Sequence, residues 1–280
     1  MRIALVTSNE LPRADHDLAP LQAACAAEGV TAVACCWEDE AIDWAQFDTA
    51  LIRSTWNYVA RFSEFESWLD RVQARTTLLN PLGALRWNMH KGYLLELKRA
   101  GIPIVPTELV EQGVDCDWIR AFERWGELVL KPAISAASFG TVRVARHDRA
   151  RAKEHRAEFL GRDFLVQPLL GDVLRQGERN LLFLGGQYAH TTRKAARWSG
   201  DHHGVCGCIE PTKAERAVAE EVIAYTRSLG FGELAYARVD LANDEDGKPL
   251  LMELEIFEPS LGFEYAPASA RQLAAWLKRQ

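Results

Sequence analysis

The chain has 280 residues and a formal net charge of −6 at pH 7, with 48% hydrophobic and 26% charged residues. This length allows two or three modest domains, and an acidic chain without a basic stripe is not expected to bind nucleic acid. No apolar run is long enough to span a bilayer, and the N-terminus predicts a strand rather than a signal peptide, so we expect no membrane association. The six cysteines follow no disulfide framework, which favours reduced thiols in the cytoplasm.

The N-terminal part alternates apolar strands with helices. Strands are predicted at 2–8, 31–37, 50–55 and 77–80, and helices at 18–28 and 63–75. This alternation is typical of a parallel α/β sheet, in which ligands bind beyond the carboxyl ends of the strands. No GxGxxG motif follows the first strand, which disfavours a dinucleotide site. A group of polar residues near two strand ends forms a candidate substrate pocket, although each alone could simply cap a helix: Ser8, Asn9, Arg53, Ser54, Thr55 and Tyr58.

The middle of the chain carries two lysines and an apolar hinge. A helix predicted at 85–99 contains Lys91, and a buried strand at 127–130 leads into Lys131. The small residues that follow at 133–140, among them Ser138, could offer backbone N–H groups to phosphates or could form a mobile hairpin tip. A strand at 164–167 then runs into an apolar turn. This segment suits a hinge that holds a flat heterocycle, with three candidate residues: Gln167, Leu169 and Leu170.

A hairpin predicted at 236–256 contains opposed acidic residues. Its turn sequence, Asp-Glu-Asp-Gly-Lys-Pro, contains a strong hairpin signal. A register symmetric about the Asp-Gly pair makes Asp240 face Glu253 and Arg238 face Glu255. Because opposed carboxylates repel each other, a hard divalent cation such as Mg²⁺ is the natural ion to lie between them. The alternative is a surface hairpin whose charged face is solvated.

Basic residues at the ends of other elements favour the first alternative. A hairpin predicted at 178–184 and 187–193 begins at Glu178 and ends in a basic pair. Cations on rigid elements together with acids that can hold Mg²⁺ are what a nucleoside triphosphate site requires. The chain has no Walker A motif and no protein-kinase motif, which excludes the two commonest folds for this task. The basic residues are Lys91, Lys131, Arg193, Lys194 and Arg238.

In this order of features the chain resembles the ATP-grasp superfamily. The motifs that carry the resemblance are the strand-Lys-Pro segment, the hinge, ARVD and MELEIFEPSL. The resemblance implies an α/β fold, α+β in its C-terminal half, in which two α+β lobes clamp ATP beside a parallel N-terminal domain. We place the domain boundary at Asn80-Pro81, where the alternation breaks. The expected parts are an N-terminal domain at 1–82, a linker helix and strand at 83–110, a small central lobe at 111–170 and a C-terminal lobe with the metal site at 171–280.

The resemblance also implies residue roles, with ATP and Mg²⁺ as cofactors. Two features depart from the family pattern: Glu255 stands where related ligases commonly have Asn, and Gln167 stands where many have Glu. The implied roles are phosphate binding by Lys91 and Lys131, adenine contacts by Gln167 and Leu169, and a ribose contact by Glu178. Arg193 or Lys194 would face the γ-phosphate with Arg238, and Asp240, Glu253 and Glu255 would hold Mg²⁺.

Within the superfamily the chain is similar to the D-cycloserine synthetases, which are O-ureido-D-serine cyclo-ligases. The similarity extends to connecting residues in MRIALVTSNELPRADHD, LIRSTWNY, LNPLGALRWNMHKGYLL and QPLLGDVLRQGERNLLFLGG. It implies that an amino-acid carboxylate is activated as an acyl phosphate and that O-ureido-D-serine is cyclised to the antibiotic D-cycloserine. The family also suggests a homodimer. The alternatives are a ligase that joins two amino acids, a Mg²⁺-dependent phosphotransferase or hydrolase, and a nucleotide-binding regulatory module.

The sequence Asp-His-His-Gly-Val-Cys-Gly-Cys at 201–208 allows two interpretations. Zinc binding is disfavoured because Cys-x-Cys is not the usual structural pair and no second pair exists elsewhere. We expect instead a flexible loop that closes over the substrate. His203 would then contact the substrate.

Overall fold

The computed structural model describes residues 1–11, 14–195 and 204–280, and every helix in those ranges is too short or too polar to cross a lipid bilayer. The N-terminal sheet has the strand order β2-β1-β3-β4 and is parallel throughout, as predicted. Ala4 and Val6 pack into one apolar cluster and Ile3 and Leu5 into another, because side chains alternate across the sheet. The strands are β1 Arg2–Thr7, β2 Thr31–Cys36, β3 Thr49–Ser54 and β4 Thr77–Leu79; the helices are α1 Leu18–Ala27 and α2 Phe62–Gln73, with 3₁₀ turns at Trp44–Gln46 and Trp56–Arg61.

The single helix predicted at 85–99 is wrong. The segment forms two helices, α3 Leu82–Met89 and α4 Tyr93–Arg99, and Lys91 lies in the break between them. The break arises because His90 adopts an extended backbone and the amide of Lys91 donates to the carbonyl of Ala133 (2.8 Å) rather than to its own helix. A tertiary hydrogen bond therefore overrides the helical pattern and fixes the position of Lys91.

The central sheet is antiparallel, with the order β5-β8-β6-β7. Lys131 lies within strand β6, so its backbone is fixed by the ladder to β8. Two helices cover one face of the sheet, and their apolar residues Trp118, Phe122 and Ala152 are buried with Phe164 in one cluster. The elements are β5 Glu108–Val110, α5 Trp118–Trp125, β6 Leu128–Pro132, β7 Val142–Val144, α6 Arg149–Glu158 and β8 Phe164–Pro168.

The C-terminal sheet is also antiparallel, with the order β11-β10-β9-β12-β13. Two elements were not predicted from the sequence. The helix α7 lies at the position of the expected turn, and the short edge strand β11 occupies residues 205–208 of the segment expected to be a flexible loop. The helix α8 (Lys213–Thr226) continues as one wide turn, Arg227–Phe231, in which Gly230 has a φ of 81°. The elements are α7 Gly171–Gln176, β9 Glu178–Leu184, β10 Gln187–Lys194, β11 Val205–Cys208, α8 Lys213–Thr226, β12 Tyr236–Asn243, β13 Pro249–Glu255 and α9 Pro267–Leu277.

The β12–β13 hairpin has the predicted pairing of its charged residues. Asp240 pairs with Glu253 and Arg238 pairs with Glu255. Closer to the turn the register shifts by one residue, and Met252 is the extra residue of a β-bulge. The turn itself is longer than a two-residue turn, since the amide of Asp244 donates to the carbonyl of Lys248. The bulge compensates for this length, so the charged pairs keep the register that a symmetric hairpin would give.

Candidate active site

A cavity of about 560 Å³ lies where the central and C-terminal sheets meet the N-terminal part. Strands β6 and β8 supply one wall and strands β9, β10, β12 and β13 supply the opposite wall. Many of the predicted site residues line it, although they come from segments far apart in the sequence. They are Tyr58, Lys91, Lys131, Ser138, Gln167, Leu169, Leu170, Glu178, Lys194, Arg238, Asp240, Glu253 and Glu255.

Arg238 and Asp240 form a buried bidentate pair on the cavity face of β12. Arg238 donates from Nε to Asp240 Oδ1 and from Nη2 to Oδ2, both at 2.7 Å. Its Nη2 also contacts Glu255 Oε1. Asn180, on the neighbouring strand, donates from Nδ2 to Asp240 Oδ1 at 2.6 Å. The arginine is therefore held between two carboxylates, in agreement with the predicted register.

Glu253 lies between the two lysines that were predicted to bind phosphate. Lys91 Nζ is 3.0 Å from Glu253 Oε1, and Lys131 Nζ is 3.7 Å from Oε2. Burial opposes ionisation of Glu253, but the two ammonium groups outweigh it and lower the pKa of Glu253 to about 2. Lys91 also donates to the carbonyl of Ser135 (2.8 Å) at the start of the small-residue loop. Burial lowers the pKa of Lys131 despite its proximity to Glu253.

Glu255 has a different electrostatic environment from Glu253. Burial and the neighbouring charges of Asp240 and Glu253 outweigh the attraction of Arg238 and raise the pKa of Glu255 to about 7. Three carboxylates with oxygen donors are suitable ligands for Mg²⁺. Within residues 1–11, 14–195 and 204–280, however, no three potential ligands already converge on one point. Metal binding at these acids would therefore require that their contacts with Arg238 and the lysines change.

The hinge and the neighbouring residues form the remaining wall of the cavity. Gln167 donates from Nε2 to Thr107 Oγ1 (2.8 Å), so its side-chain amide is engaged inside the central sheet. The main-chain amide of Leu169 donates to the carbonyl of Glu127 (3.0 Å). In the small-residue loop, Ala137 and Ser138 have positive φ angles of 48° and 62°, a rare conformation for residues other than glycine. The loop thus holds a specific turn, and Ser138 lines the cavity.

The basic pair at the end of β10 points to opposite faces of the sheet. Lys194 lines the cavity and its Nζ lies 3.4 Å from Glu178 Oε2. The charge of Glu178 raises the pKa of Lys194. Arg193 is exposed and does not line the cavity, as the alternation of side chains in a strand requires. Of the two residues predicted as alternatives, Lys194 therefore has the position for a ligand contact.

The predicted substrate residues are only partly brought together. Tyr58 lines the cavity, whereas Asn9 is exposed and the other four are buried outside the cavity lining. Ser8 donates to the carbonyl of Ser54 (3.0 Å), and Arg53 donates to the carbonyl of Pro259 (2.9 Å). The buried residues outside the lining are Ser8, Arg53, Ser54 and Thr55. Their role in substrate binding stays a prediction, and His203 lies outside the described residues.

Several cavity residues were not predicted from the sequence. Asn180 could have been found by alternation, because it lies two residues after Glu178 on the same face of β9. Glu258 stands two residues after the end of the predicted acidic strand and lines the cavity with Ser260. Cys206 and Cys208, considered above as zinc ligands, are exposed on β11 and donate to the carbonyls of Gly204 and Tyr265.

Comparisons with known proteins agree with this fold. A family model for the N-terminal domain of the D-cycloserine synthetase DcsG matches residues 3–80. The cycloserine biosynthesis protein DcsG of Streptomyces lavendulae is 33% identical over 97% of this chain and 96% of its own length. The crystal structure of D-cycloserine synthetase DcsG superimposes with a TM-score of 0.93 over 100% of this chain and 99% of that chain, at 33% identity.

More distant structures share the fold alone. A D-alanine–D-alanine ligase from Bacillus anthracis superimposes with a TM-score of 0.70 at 14% identity, over 100% of this chain and 96% of that chain. A RimK-domain ATP-grasp protein from Sphaerobacter thermophilus has the same TM-score of 0.70 at 20% identity, over 99% of each chain. The chain belongs to the DcsG family of D-cycloserine synthetases, within the ATP-grasp ligases.

Proposed function

We propose that this protein is an ATP-dependent ligase that cyclises O-ureido-D-serine to D-cycloserine and releases ADP and phosphate. The observation that carries the proposal is the convergence of four cationic side chains on one cavity, each paired with a carboxylate, next to an apolar hinge. Such an arrangement suits a nucleoside triphosphate that is brought close to the carboxylate of an amino acid. The cationic residues are Lys91, Lys131, Lys194 and Arg238.

Different residues of the cavity would contact the adenine, the ribose and the phosphates of ATP. The adenine would lie against the hinge, where Thr107 holds the side-chain nitrogen of Gln167 and main-chain groups near Leu169 and Leu170 would contact the base. Glu178 would contact the ribose. Lys91 and Lys131 would bind phosphate oxygens, and Lys194 and Arg238 would approach the γ-phosphate. This pattern is supported by the family membership and by the distribution of charge in the cavity.

Phosphate binding would change the pairing of the acids. When the two lysines turn to phosphate oxygens, Glu253 loses its counter-charges and becomes available as a ligand beside Asp240 and Glu255. These three carboxylates would hold Mg²⁺, which supplies the positive charge that offsets the charge on the transferred phosphoryl group. Arg238 would then leave at least one of its two carboxylates to face the phosphate.

The reaction would proceed within one bound substrate molecule. The carboxylate oxygen attacks the γ-phosphorus, and ADP leaves. The ureido nitrogen next to the ether oxygen then attacks the acyl carbon, which forms the C–N bond and breaks the C–O bond to phosphate. One water molecule then hydrolyses the N–C bond to the carbamoyl group, which leaves as carbon dioxide and ammonia. Ring closure is favoured once the cavity holds both ends of the molecule, because the nucleophile is at a high effective concentration.

The proposal includes a cytoplasmic location and a small-molecule amino-acid substrate. A homodimer is proposed by analogy with the family.

The experiment that tests the proposal combines three readouts. The protein is incubated with ATP, Mg²⁺ and a panel of amino acids that includes O-ureido-D-serine, and ADP, phosphate and product mass are followed together. We expect phosphate release only with O-ureido-D-serine, together with a cyclic product. A product made from two amino acids would indicate a dipeptide-forming ligase. Phosphate release without any amino acid would indicate a hydrolase, and tight ATP binding without turnover a regulatory module.

A further inference from the structure

One acidic residue of the cavity differs from the others in its charge environment. Within the part of the chain that the structure describes, Glu258 forms no ion pair through its carboxylate, although it is only 9% exposed and lines the cavity. The other cavity acids are all paired: Glu178 with Lys194, Asp240 and Glu255 with Arg238, and Glu253 with Lys91 and Lys131. Among the residues that the structure describes, the cavity therefore contains one buried carboxyl group that no cationic side chain pairs with.

The main chain around Glu258 is held firmly from the N-terminal part of the protein. Trp56 donates from its indole nitrogen to the carbonyl of Glu258 (3.0 Å), and Arg53 donates to the carbonyl of Pro259 (2.9 Å). Arg238 donates to the carbonyl of Ser260 (3.3 Å), which connects the same segment to the acidic hairpin. These bonds fix the main chain at Glu258 between the N-terminal part of the protein and the acidic hairpin.

A buried aspartate holds the far end of this segment. The two oxygens of Asp17, which is 3% exposed, accept hydrogen bonds from the amides of Leu261 (2.6 Å) and Phe263 (2.8 Å). Arg53, itself fully buried, lies 3.7 Å from the same carboxylate. Asp17 and Arg53 thus act on the cavity from outside it, because they fix the backbone that carries Glu258.

The surroundings of Glu258 favour its neutral form until a cation arrives. Burial, reinforced by the charge of Glu255, raises the pKa of Glu258 to about 8. Glu253 acts in the same direction, whereas the charges of Lys91 and Arg238 oppose it without reversing the shift. A positively charged ligand group placed beside the carboxyl would favour ionisation and form a charge-assisted hydrogen bond.

We infer that Glu258 binds the α-ammonium group of the amino-acid substrate. An ammonium group supplies a positive charge for the carboxylate of Glu258, and it can donate three hydrogen bonds. The α-ammonium and the carboxylate of the substrate are both bonded to its α-carbon. An ammonium on Glu258 would therefore leave the substrate carboxylate near Arg238 and Glu255, where the γ-phosphate is proposed to lie. The inference rests on the proposed function, because it takes an amino acid as the substrate.

The test combines a variant with a substrate analogue. Glu258→Gln removes the charge and keeps the shape, and Glu264→Gln is the control because Glu264 is an exposed acid of the following segment. The analogue carries a hydroxyl in place of the α-amino group of O-ureido-D-serine. We expect Glu258→Gln to raise the KM for the amino substrate about 10- to 100-fold, the loss typical of a hydrogen bond to a charged group, with little change in kcat. The KM for the analogue should be the same in wild type and variant, and Glu264→Gln should match the wild type with both compounds.

Four outcomes would overturn the inference. An unchanged KM for the amino substrate in Glu258→Gln, with normal wild-type turnover, would remove the ammonium site and leave the proposed function intact. A fall in kcat alone would assign Glu258 to a different role. Equal binding of the two compounds by the wild type, which needs no variant, would show that the amino group is not recognised. If no amino acid stimulates phosphate release by the wild type, the proposed function fails first and the ammonium site fails with it.

Discussion

Glu253→Gln is the most informative single change, because Glu253 forms ion pairs with both lysines. Its carboxylate lies 3.0 Å from Lys91 Nζ and 3.7 Å from Lys131 Nζ, and its side chain is 25% exposed. Glutamine has nearly the same shape but no charge. The two lysines, which are 5% and 9% exposed, would then lie side by side without their shared counter-charge.

The stability cost follows from the pKa of Glu253. The value of about 2, against 4.5 for a free glutamate, corresponds to roughly 3 kcal/mol of favourable interaction. Partial exposure screens the charges and reduces this to about 2 kcal/mol. Because the folded-state pKa is lowered, the contribution is complete above pH 4.5 and is lost as the pH falls toward 2. The variant should therefore be less stable than wild type at pH 7, and the two should converge at low pH.

The same change should separate phosphate binding from metal binding. In Glu253→Gln the lysines are free for phosphate, so ATP without Mg²⁺ should bind at least as tightly as to wild type. Mg²⁺ should no longer improve ATP affinity to the wild-type extent, and kcat should fall by about 100-fold or more because a proposed ligand is lost.

The assays are denaturant unfolding without nucleotide, ATP titration with and without Mg²⁺, and phosphate release. Glu245→Gln is the matched control, because Glu245 is an exposed acid in the turn of the same hairpin. The control should equal wild type in all three assays. The reasoning would be refuted if Glu253→Gln kept the wild-type stability at pH 7 and the wild-type effect of Mg²⁺ on ATP affinity.

Three further predictions use other residues of the site. Lys194→Met should raise the KM for ATP about tenfold or more, whereas Arg193→Met, on the exposed face of the same strand, should leave it unchanged; equal effects would remove Lys194 from the phosphate site. Asp240→Asn should abolish turnover while thermal unfolding shows a folded protein, and near-normal phosphate release would exclude Asp240 as a ligand. For Glu258, whose folded-state pKa is raised from 4.5 to about 8, wild-type stability should decline between pH 4.5 and 8, by at most about 5 kcal/mol. Glu258→Gln should therefore have a higher Tm than wild type at pH 9 and a similar Tm near pH 4.5, and parallel Tm curves would contradict the pKa.

Local sequence rules predicted the parts of the site that depend on strand geometry. Alternation and the Asp-Gly turn were enough to pair Asp240 with Glu253 and Arg238 with Glu255. The turn was longer than expected, but the bulge at Met252 restored the register. Their positions at the ends of elements made the lysines and the hinge candidates, the family resemblance implied their roles, and these residues line one cavity.

The features that depend on long-range contacts could not be predicted in this way. Helical periodicity continues through Lys91, and only the hydrogen bond to Ala133 interrupts the helix there. Strand β11 has four residues, two of them cysteines separated by one glycine, and forms only because β10 offers an edge. The position of Glu258 depends on hydrogen bonds that Trp56 and Arg53, about 200 residues away, donate to the main chain at Glu258 and Pro259. The domain limits at 82, 110 and 170 stay predictions.

Transfer of an isotope from the substrate carboxylate would test the central claim most directly. O-ureido-D-serine labelled with ¹⁸O in both carboxylate oxygens is turned over with ATP and Mg²⁺, and the phosphate and the cyclic product are analysed by mass spectrometry. Activation as an acyl phosphate predicts that each released phosphate carries one ¹⁸O atom and that each D-cycloserine keeps the other. Unlabelled phosphate, released while the substrate is consumed, would contradict the mechanism.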